Sequence, residues 1–130
     1  MPQLLAIQLP WRGQSELAPA LAALVGLNVA YYRLGNYAIP PLYNGSIRYA
    51  LEGRNSRGAR RERWLCAPEV VRYGFGDCED LACYRAMELR IAGDTRATAI
   101  PKRTEIGWHI VVRHGNGRIE DPSKILGMPT

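Results

Sequence analysis

The stretch that decides the fold is GFGDCEDLACYRAMELRIAG, residues 74–93. The run of helix-forming residues between two glycine-containing ends predicts a helix from Cys78 to about Ala92. Asp77 is suited to the N-cap position, and Asp80 has the spacing that completes a capping box with it. Apolar residues occur on both sides of this helix, which is typical of a helix buried in the middle of its domain.

Cys78 takes the first position of the predicted helix. The partial positive charge at a helix N-terminus favours the thiolate, the form of cysteine that attacks carbonyl carbons. Three neighbouring carboxylates oppose this effect, those of Asp77, Glu79 and Asp80. A cationic partner from elsewhere in the chain is therefore needed to activate the thiol. The competing interpretation is that Cys78 is only a small buried hydrophobic residue.

The chain has two histidines, His109 and His114, in EIGWHIVVRHGNGRIEDPSK at 105–124. Alternation of side chains along a strand puts His109 on the opposite face from Trp108. His114 falls in the predicted turn HGNG and is expected to be a solvated loop residue. His109 is therefore the candidate partner for Cys78.

Asp121 is the candidate carboxylate partner of His109, and the length of the hairpin loop decides whether they can meet. A three-residue loop, at 114–116 or at 115–117, places Asp121 on the same face as His109, directly opposite or diagonal to it. A two-residue turn at 116–117 puts Asp121 on the other face. The pairing therefore requires an odd loop or a bulge.

Together, Cys78, His109 and Asp121 fit a thiol nucleophile, an imidazole that takes its proton and a carboxylate that orients the ring. A zinc site is the alternative, because four residues separate Cys78 from Cys83 and His109 from His114. Five residues along a helix turn a side chain by about 140°, and five along a strand is an odd step. Neither pair then faces one ion, so we expect no metal and no cofactor.

Length and composition favour one globular domain over residues 1–130. Apolar residues make up 47% of the chain and charged residues 22%, a balance that excludes a disordered protein. Three cysteines are an odd number, so we expect a reducing environment, with Cys66 and Cys83 as buried hydrophobic residues. We find no apolar run that approaches the roughly 20 residues of a membrane span, and no basic region of a secretory signal peptide.

The net charge of +5 comes almost entirely from arginine, with 15 Arg against 2 Lys. Five arginines lie between Arg54 and Arg63, in RNSRGARRER, a pattern that can bind phosphates. No aromatic residue interrupts this run, so it lacks the stacking platform of a single-strand nucleic-acid binder. We interpret it as a solvated loop and do not expect a nucleic-acid partner.

Outside residues 74–93 the pattern predicts helices first and antiparallel strands last, the order typical of an α+β fold. The first helix is expected to bury the residues that recur at three- and four-residue spacing, namely Leu17, Leu21, Leu24, Val25 and Asn28. The expected elements are an edge strand at 3–9, a helix capped by Ser15 and running to about Leu34, an irregular segment at 35–63, a short helix opened by Pro68 and stopped at Gly74, and strands at 96–101, 106–113 and 118–121.

Three motifs make the chain resemble the transglutaminase-like superfamily, a branch of the papain-like cysteine enzymes: GDCEDLA at 76–82, WHIVV at 108–112 and EDPS at 120–123. The resemblance covers residues 64–127, about half of the chain. It implies a core in which a central helix carrying the cysteine packs on a small antiparallel sheet carrying the histidine and the aspartate. Small stand-alone members resemble proteins of bacteria, tailed phages and prophages, which implies a cytoplasmic or virion-associated protein without a signal peptide.

The resemblance implies that Cys78 is the nucleophile, His109 the general base and later general acid, and Asp121 the residue that orients the ring. The Cys78 N–H would form part of an oxyanion hole, and the second donor is assigned to none of Tyr43, Asn44 and Tyr49. The implied activity is acyl transfer on a peptide or amide bond through a thioester, with hydrolysis expected. The implied partner is a peptide or protein substrate, such as a bacterial cell-wall peptide.

Two other functions stay open. The fold can be reused as a non-catalytic structural or phage-assembly module in which the triad is residual. Alternatively, the chain is a nucleic-acid-binding accessory that acts through the segment from Arg54 to Arg63.

Overall fold

The described residues form mainly helices first and an antiparallel sheet last. The computed structural model describes residues 14–51, 64–105 and 107–129. This mixture of helices and small sheets confirms the predicted α+β class. The elements, in chain order, are α1 (Gln14–Gly35), β1 (Arg48–Tyr49), α2 (Ala67–Tyr73), β2 (Phe75–Gly76), α3 (Cys78–Ile91), β3 (Thr98–Thr104), β4 (Gly107–Arg113), β5 (Ile119–Glu120) and α4 (Pro122–Ile125).

Helix α3 lies between two clusters of core side chains. On one side, Cys83 and Ala86 pack with residues of α1, β3 and β4. On the other side, Leu81, Tyr84 and Met87 pack with α2 and the segment that follows α1. All five side chains are fully buried, and burying a Leu or Met completely stabilises a fold by about 1.5–3 kcal/mol. The predicted central helix is therefore confirmed, and it ends within one residue of the expected position.

Helix α1 supplies the other half of the first cluster. The five residues predicted to be buried are all buried: Leu17, Leu21, Leu24, Val25 and Asn28. The prediction that Ser15 caps this helix is wrong, because the helix already begins at Gln14 and Ser15 lies within its first turn.

Helix α1 also corrects the expectation that no apolar run approaches the length of a membrane span. The segment Leu17–Gly35 has 19 residues and a mean hydropathy of 1.3, so it is long and apolar enough by these two measures to cross a membrane. A core helix meets the same two measures. The contacts of Leu21 and Val25 with α3 and the sheet account for the most buried side of α1.

The short helix α2 forms where PEVVRY predicts it, with Pro68 in its first turn. It ends at Gly74, whose φ of 77° is a left-handed conformation that glycine adopts without strain. Directly after it, β2 pairs in parallel with β1, an arrangement that the sequence did not indicate. Two-residue strands are too short to show alternation, so no pattern could reveal them. The predicted strand at 3–9 and residues 52–63 of the arginine segment lie outside the described residues.

Strands β3, β4 and β5 form an antiparallel sheet in that order. Between β4 and β5, Val112 pairs with Glu120, and the His114 N–H donates to the Arg118 carbonyl at 2.8 Å. The connecting loop is therefore the three residues 115–117, so the odd loop that the Asp121 hypothesis requires is confirmed. Strand β3 starts two residues later than predicted, because a turn closed by the Ala97 N–H and the Asp94 carbonyl precedes it.

Candidate active site at the start of helix α3

The first turn of α3 is held by a network of carboxylate hydrogen bonds. Asp77 is the N-cap, and the Asp80 carboxylate accepts the Asp77 N–H at 3.1 Å, which confirms the predicted capping box. The other Asp80 oxygen accepts the Leu65 N–H at 2.7 Å and so ties α3 to the chain before α2. Gly76 permits this packing, because a Cβ added there would lie 2.9 Å from the Asp80 Cβ. Cys78 then takes the first helical position.

The Cys78 thiol is half-buried between α3 and β4. Its S–H donates to Glu79 Oε2 at 3.3 Å, and its sulfur accepts the backbone N–H of Ile110. Ile110 directly follows His109 in β4. The fold therefore brings the thiol to the part of β4 that carries the imidazole.

His109 and Asp121 lie on the same face of the sheet, as the three-residue hairpin loop predicts. The β4–β5 register extends to put Asp121 diagonal to His109 on one face, and His109 Nε2 lies 2.8 Å from Asp121 Oδ2. If Nε2 carries the proton given to Asp121, Nδ1 is the nitrogen that can accept another. The second Asp121 oxygen accepts the Lys124 N–H at 3.3 Å, so the same carboxylate also caps α4.

Burial dominates the electrostatics of the thiol. It raises the pKa of Cys78, the charge of Glu79 raises it further, and the Ile110 N–H opposes this only in part. Burial and the charge of Asp77 also raise the pKa of Glu79 and of Asp80 well above the usual range. The expected thiolate-favouring effect of the helix N-terminus is therefore outweighed, first by burial and then by two of the three predicted carboxylates, Glu79 and Asp77.

The same three carboxylates are a group that could hold a metal ion, since their oxygens lie within 4.8 Å of one another. Asp80 uses both oxygens to accept backbone N–H groups, and Glu79 is bonded to Asp77 and Cys78. These hydrogen bonds are part of the fold of the α3 start. Of the zinc pairs weighed from spacing, Cys83 donates to the Leu21 carbonyl in the core, and the two histidines bond different carboxylates, Asp121 and Glu120.

Sequence reasoning missed a second polar cluster, which we call the Glu120 cluster: Tyr43, Arg85, His114 and Glu120. The prediction that His114 is a solvated loop residue is wrong, because its side chain is only 12% exposed and its Nε2 lies 2.8 Å from Glu120 Oε1. Arg85 donates to Glu120 Oε2 at 2.8 Å, and the Tyr43 hydroxyl donates to the same oxygen. The three-residue loop that puts Asp121 diagonal to His109 also puts Glu120 diagonal to His114. The sequence therefore contained a signal for this contact.

The candidate second donors to an oxyanion hole lie in the segment after α1. The Tyr43 hydroxyl is already used, because it donates to Glu120. The Asn44 side-chain oxygen accepts the Ser46 N–H at 2.8 Å within a tight turn, a bond that does not use the amide N–H donors of Asn44. The Cys78 N–H, at the first turn of α3, has no partner within its own helix by position.

The prediction that the other two cysteines are buried is confirmed for one of them. Cys83 is fully buried, whereas Cys66 is half-buried at the N-cap of α2.

Comparison of the chain with protein-family models, with curated proteins and with solved structures finds no match in any of the three. The function is therefore inferred from the geometry of the residues described above.

Proposed function

We propose that the protein is a cysteine-nucleophile acyl-transfer enzyme with Cys78, His109 and Asp121 as its triad. The observation that carries the proposal is the 2.8 Å hydrogen bond between His109 and Asp121, on the strand whose next residue, Ile110, donates its N–H to the Cys78 sulfur. A thiol, an imidazole with one ring nitrogen open and an orienting carboxylate are the parts that thiol acyl transfer needs.

In the proposed reaction, Cys78 Sγ attacks the carbonyl carbon of an amide while its proton moves to His109 Nδ1. The S–C bond forms, the carbonyl electrons move to oxygen, and the Cys78 N–H stabilises that oxyanion. Asp121 stabilises the imidazolium, which then protonates the leaving amine as the C–N bond breaks. A water that gives its proton to His109 hydrolyses the thioester and restores the thiol.

The environment of the thiol favours transfer of the proton during attack over a preformed thiolate. A raised pKa of Cys78 and a hydrogen bond from its S–H to Glu79 keep the resting thiol protonated. His109 takes the proton only as the sulfur attacks an electrophilic carbon, whether the carbonyl carbon of an amide or the methylene carbon of an alkylating reagent. Hydrolysis is the proposed outcome, and the proposed substrate is a peptide or a protein, with a bacterial cell-wall peptide among the candidates.

The same proposal includes the finer fold and its setting. A helix with the cysteine at its start, packed on an antiparallel sheet that carries the histidine and leads to the aspartate, supports a papain-like core of the transglutaminase-like superfamily. With that assignment we propose a bacterial or phage-type protein that is cytoplasmic or virion-associated.

The test is whether an acyl group reaches Cys78. The protein is treated with 4-nitrophenyl acetate, and mass spectrometry locates the acetyl group. We expect a thioester on Cys78 that decays in water and that is absent in Cys78→Ser. If cross-linking competes with hydrolysis, added methylamine should speed the decay and release N-methylacetamide. Iodoacetamide near neutral pH should label Cys78 well before Cys66 or Cys83. Equal labelling of the three thiols, with no acetyl group on Cys78, would contradict the proposal.

One observation favours a second candidate, a non-catalytic module on the same fold. Burial of the Cys78 thiol and the neighbouring carboxylates Glu79 and Asp77 raise its pKa, which a purely structural cysteine tolerates and a nucleophile must overcome. Under this alternative, His109→Ala changes neither the acetylation nor the alkylation of Cys78.

A further inference from the structure

One face of the sheet places a lysine beside the proposed triad. In the β3–β4 register Lys102 pairs directly with His109, so both side chains lie on the same face, about 4.5–5.5 Å apart at their Cβ atoms. Asp121 lies on this face at the other side of His109. Across the sheet the order is therefore Lys102, His109, Asp121.

The charge of Lys102 is available to a ligand. Its side chain is exposed, and it makes no hydrogen bond or ion pair with any of the residues that the structure describes. Arg113, four positions along β4 and so on the same face, is exposed too. The carboxylate of this face, Asp121, is already bonded to His109 and to the Lys124 N–H.

The neighbouring cation shows the contrast. Arg103 follows Lys102 in β3 and points to the opposite face, where its guanidinium lies 5.1 Å from the centre of the Trp108 ring. This is the distance of a cation–π contact. The Arg103 guanidinium therefore contacts a ring of the same hairpin, whereas the Lys102 ammonium makes no such contact with the described residues.

The acidic residues around the nucleophile do not cancel Lys102 at the surface. Asp77, Glu79 and Asp80 are all buried, with at most 6% of any of them exposed. An anion that approaches the His109 face therefore meets the ammonium group of Lys102 before it meets these carboxylates.

We propose that Lys102 is an anion-recognition residue of the acyl-transfer site, and that the substrate is a peptide with a carboxylate close to the bond that Cys78 attacks. The inference rests on the proposed function and adds a substrate class to it. Lys102 supplies attraction and orientation, while the bond-making steps stay with the triad.

Two alkylating reagents that differ in charge test this without knowledge of the substrate. Iodoacetate is an anion and iodoacetamide is neutral, and both form a thioether with Cys78 and release iodide. In Lys102→Gln the rate with iodoacetate should fall by about threefold at low salt, while the rate with iodoacetamide is unchanged. The matched control is Arg103→Gln, which removes the same charge from the other face and should lower the iodoacetate rate clearly less than Lys102→Gln does, with the iodoacetamide rate unchanged. At about 1 M salt the effect of Lys102→Gln should disappear, because the Debye length falls to about 3 Å.

The outcomes separate the two proposals. An unchanged ratio of the two rates in Lys102→Gln, or an equal change in Arg103→Gln, overturns the role of Lys102 and leaves the triad in place if His109→Ala still slows iodoacetamide. If neither reagent labels Cys78 in the folded protein, both proposals fail, because no thiol is then open to an anion on this face.

Discussion

Two groups of buried carboxylates lie next to helix α3, Asp77, Glu79 and Asp80 at its start and Glu120 of β5 beside its middle, and they have opposite electrostatic results. At its start, burial and mutual repulsion raise the pKa of Glu79 and of Asp80. At its middle, burial also raises the pKa of Glu120, but hydrogen bonds from Tyr43, Arg85 and His114 outweigh it and the pKa is lowered. A cation within the Glu120 cluster makes burial of its carboxylate favourable. The start of α3 is a costly arrangement, as expected of a functional site.

The two histidines show the same difference. His114 Nε2 bonds Glu120, and its Nδ1 lies 3.9 Å from a second carboxylate, that of Asp94. Among the described residues His109 has Asp121 as its carboxylate partner, and the next residue of β4, Ile110, contacts the Cys78 thiol through its backbone N–H. A histidine with carboxylates near both ring nitrogens has neither nitrogen open to a thiol, whereas a histidine with one open nitrogen does. Pairing with a carboxylate is therefore insufficient to identify a base.

The largest effect should come from removing each histidine in turn. His109→Ala is expected to slow alkylation of Cys78 by iodoacetamide near pH 7 by about 100-fold, the contribution of a positioned general base. His114→Ala should leave that rate within about twofold and instead lower the free energy of unfolding by about 1–2 kcal/mol, because Glu120 loses a buried partner. Rate measurements and urea denaturation on both variants decide this. Equal rates in the two variants would erase the distinction between the histidines.

Next in size is the stability carried by the Glu120 cluster. Glu120→Gln should lower the free energy of unfolding by about 2 kcal/mol at pH 7, because Arg85 is left without its charged partner. Since the pKa of Glu120 is lowered in the fold, this stabilisation is present above the unfolded value of about 4.3 and is lost as the pH falls through the folded value. Urea denaturation of both proteins between about pH 3 and pH 7 measures it. A constant difference across that range would contradict the ion-pair account.

Asp121→Asn should act on reactivity with a smaller effect, about tenfold slower alkylation of Cys78 at pH 7, because the amide favours the wrong imidazole tautomer. Added to His109→Ala, it should cost almost nothing more, since the base it orients is gone. Asparagine keeps an oxygen that can accept the Lys124 N–H, so the capping hydrogen bond and the stability should be retained. An unchanged pH profile of alkylation would leave Asp121 with the capping role alone.

The smallest effect should be a gain of stability at the start of α3. Glu79→Gln is expected to raise the free energy of unfolding by about 1 kcal/mol at pH 8, since the amide avoids burial of a charge. The pKa of Glu79 is raised in the fold, so wild type loses stability as the pH rises from about 4.3 to the folded value, and the gain should vanish near pH 4. Thermal melting at the two pH values tests this. A loss at pH 8 would place Glu79 with Glu120 as a stabilising carboxylate.

Most of the predicted site depends on the spacing of nearby residues and on the alternation of side chains along strands. Both can be recognised in the sequence alone. The Asp77 and Asp80 spacing fixes the start of α3, and an odd loop fixes which face Asp121 shares with His109. The β1–β2 pair could not be predicted, because its strands have two residues each. The Glu120 cluster needs Tyr43 and Arg85, which only the tertiary path after α1 brings to β5. Whether the Cys78 thiol is protonated depends mainly on its burial, and burial cannot be predicted from the residues next to it in the sequence.

The close approach at Gly76 gives a rule for recognising relatives of this protein in genomes. A methyl group there would be 2.9 Å from the Asp80 Cβ, and Asp80 cannot retreat without releasing both the Asp77 and Leu65 N–H groups. A relative with a side chain at this position should therefore lack the capping box that fixes its cysteine at the first position of the helix. In a distant sequence, glycine before the Asp-Cys pair should consequently be a better marker of a working site than the cysteine itself.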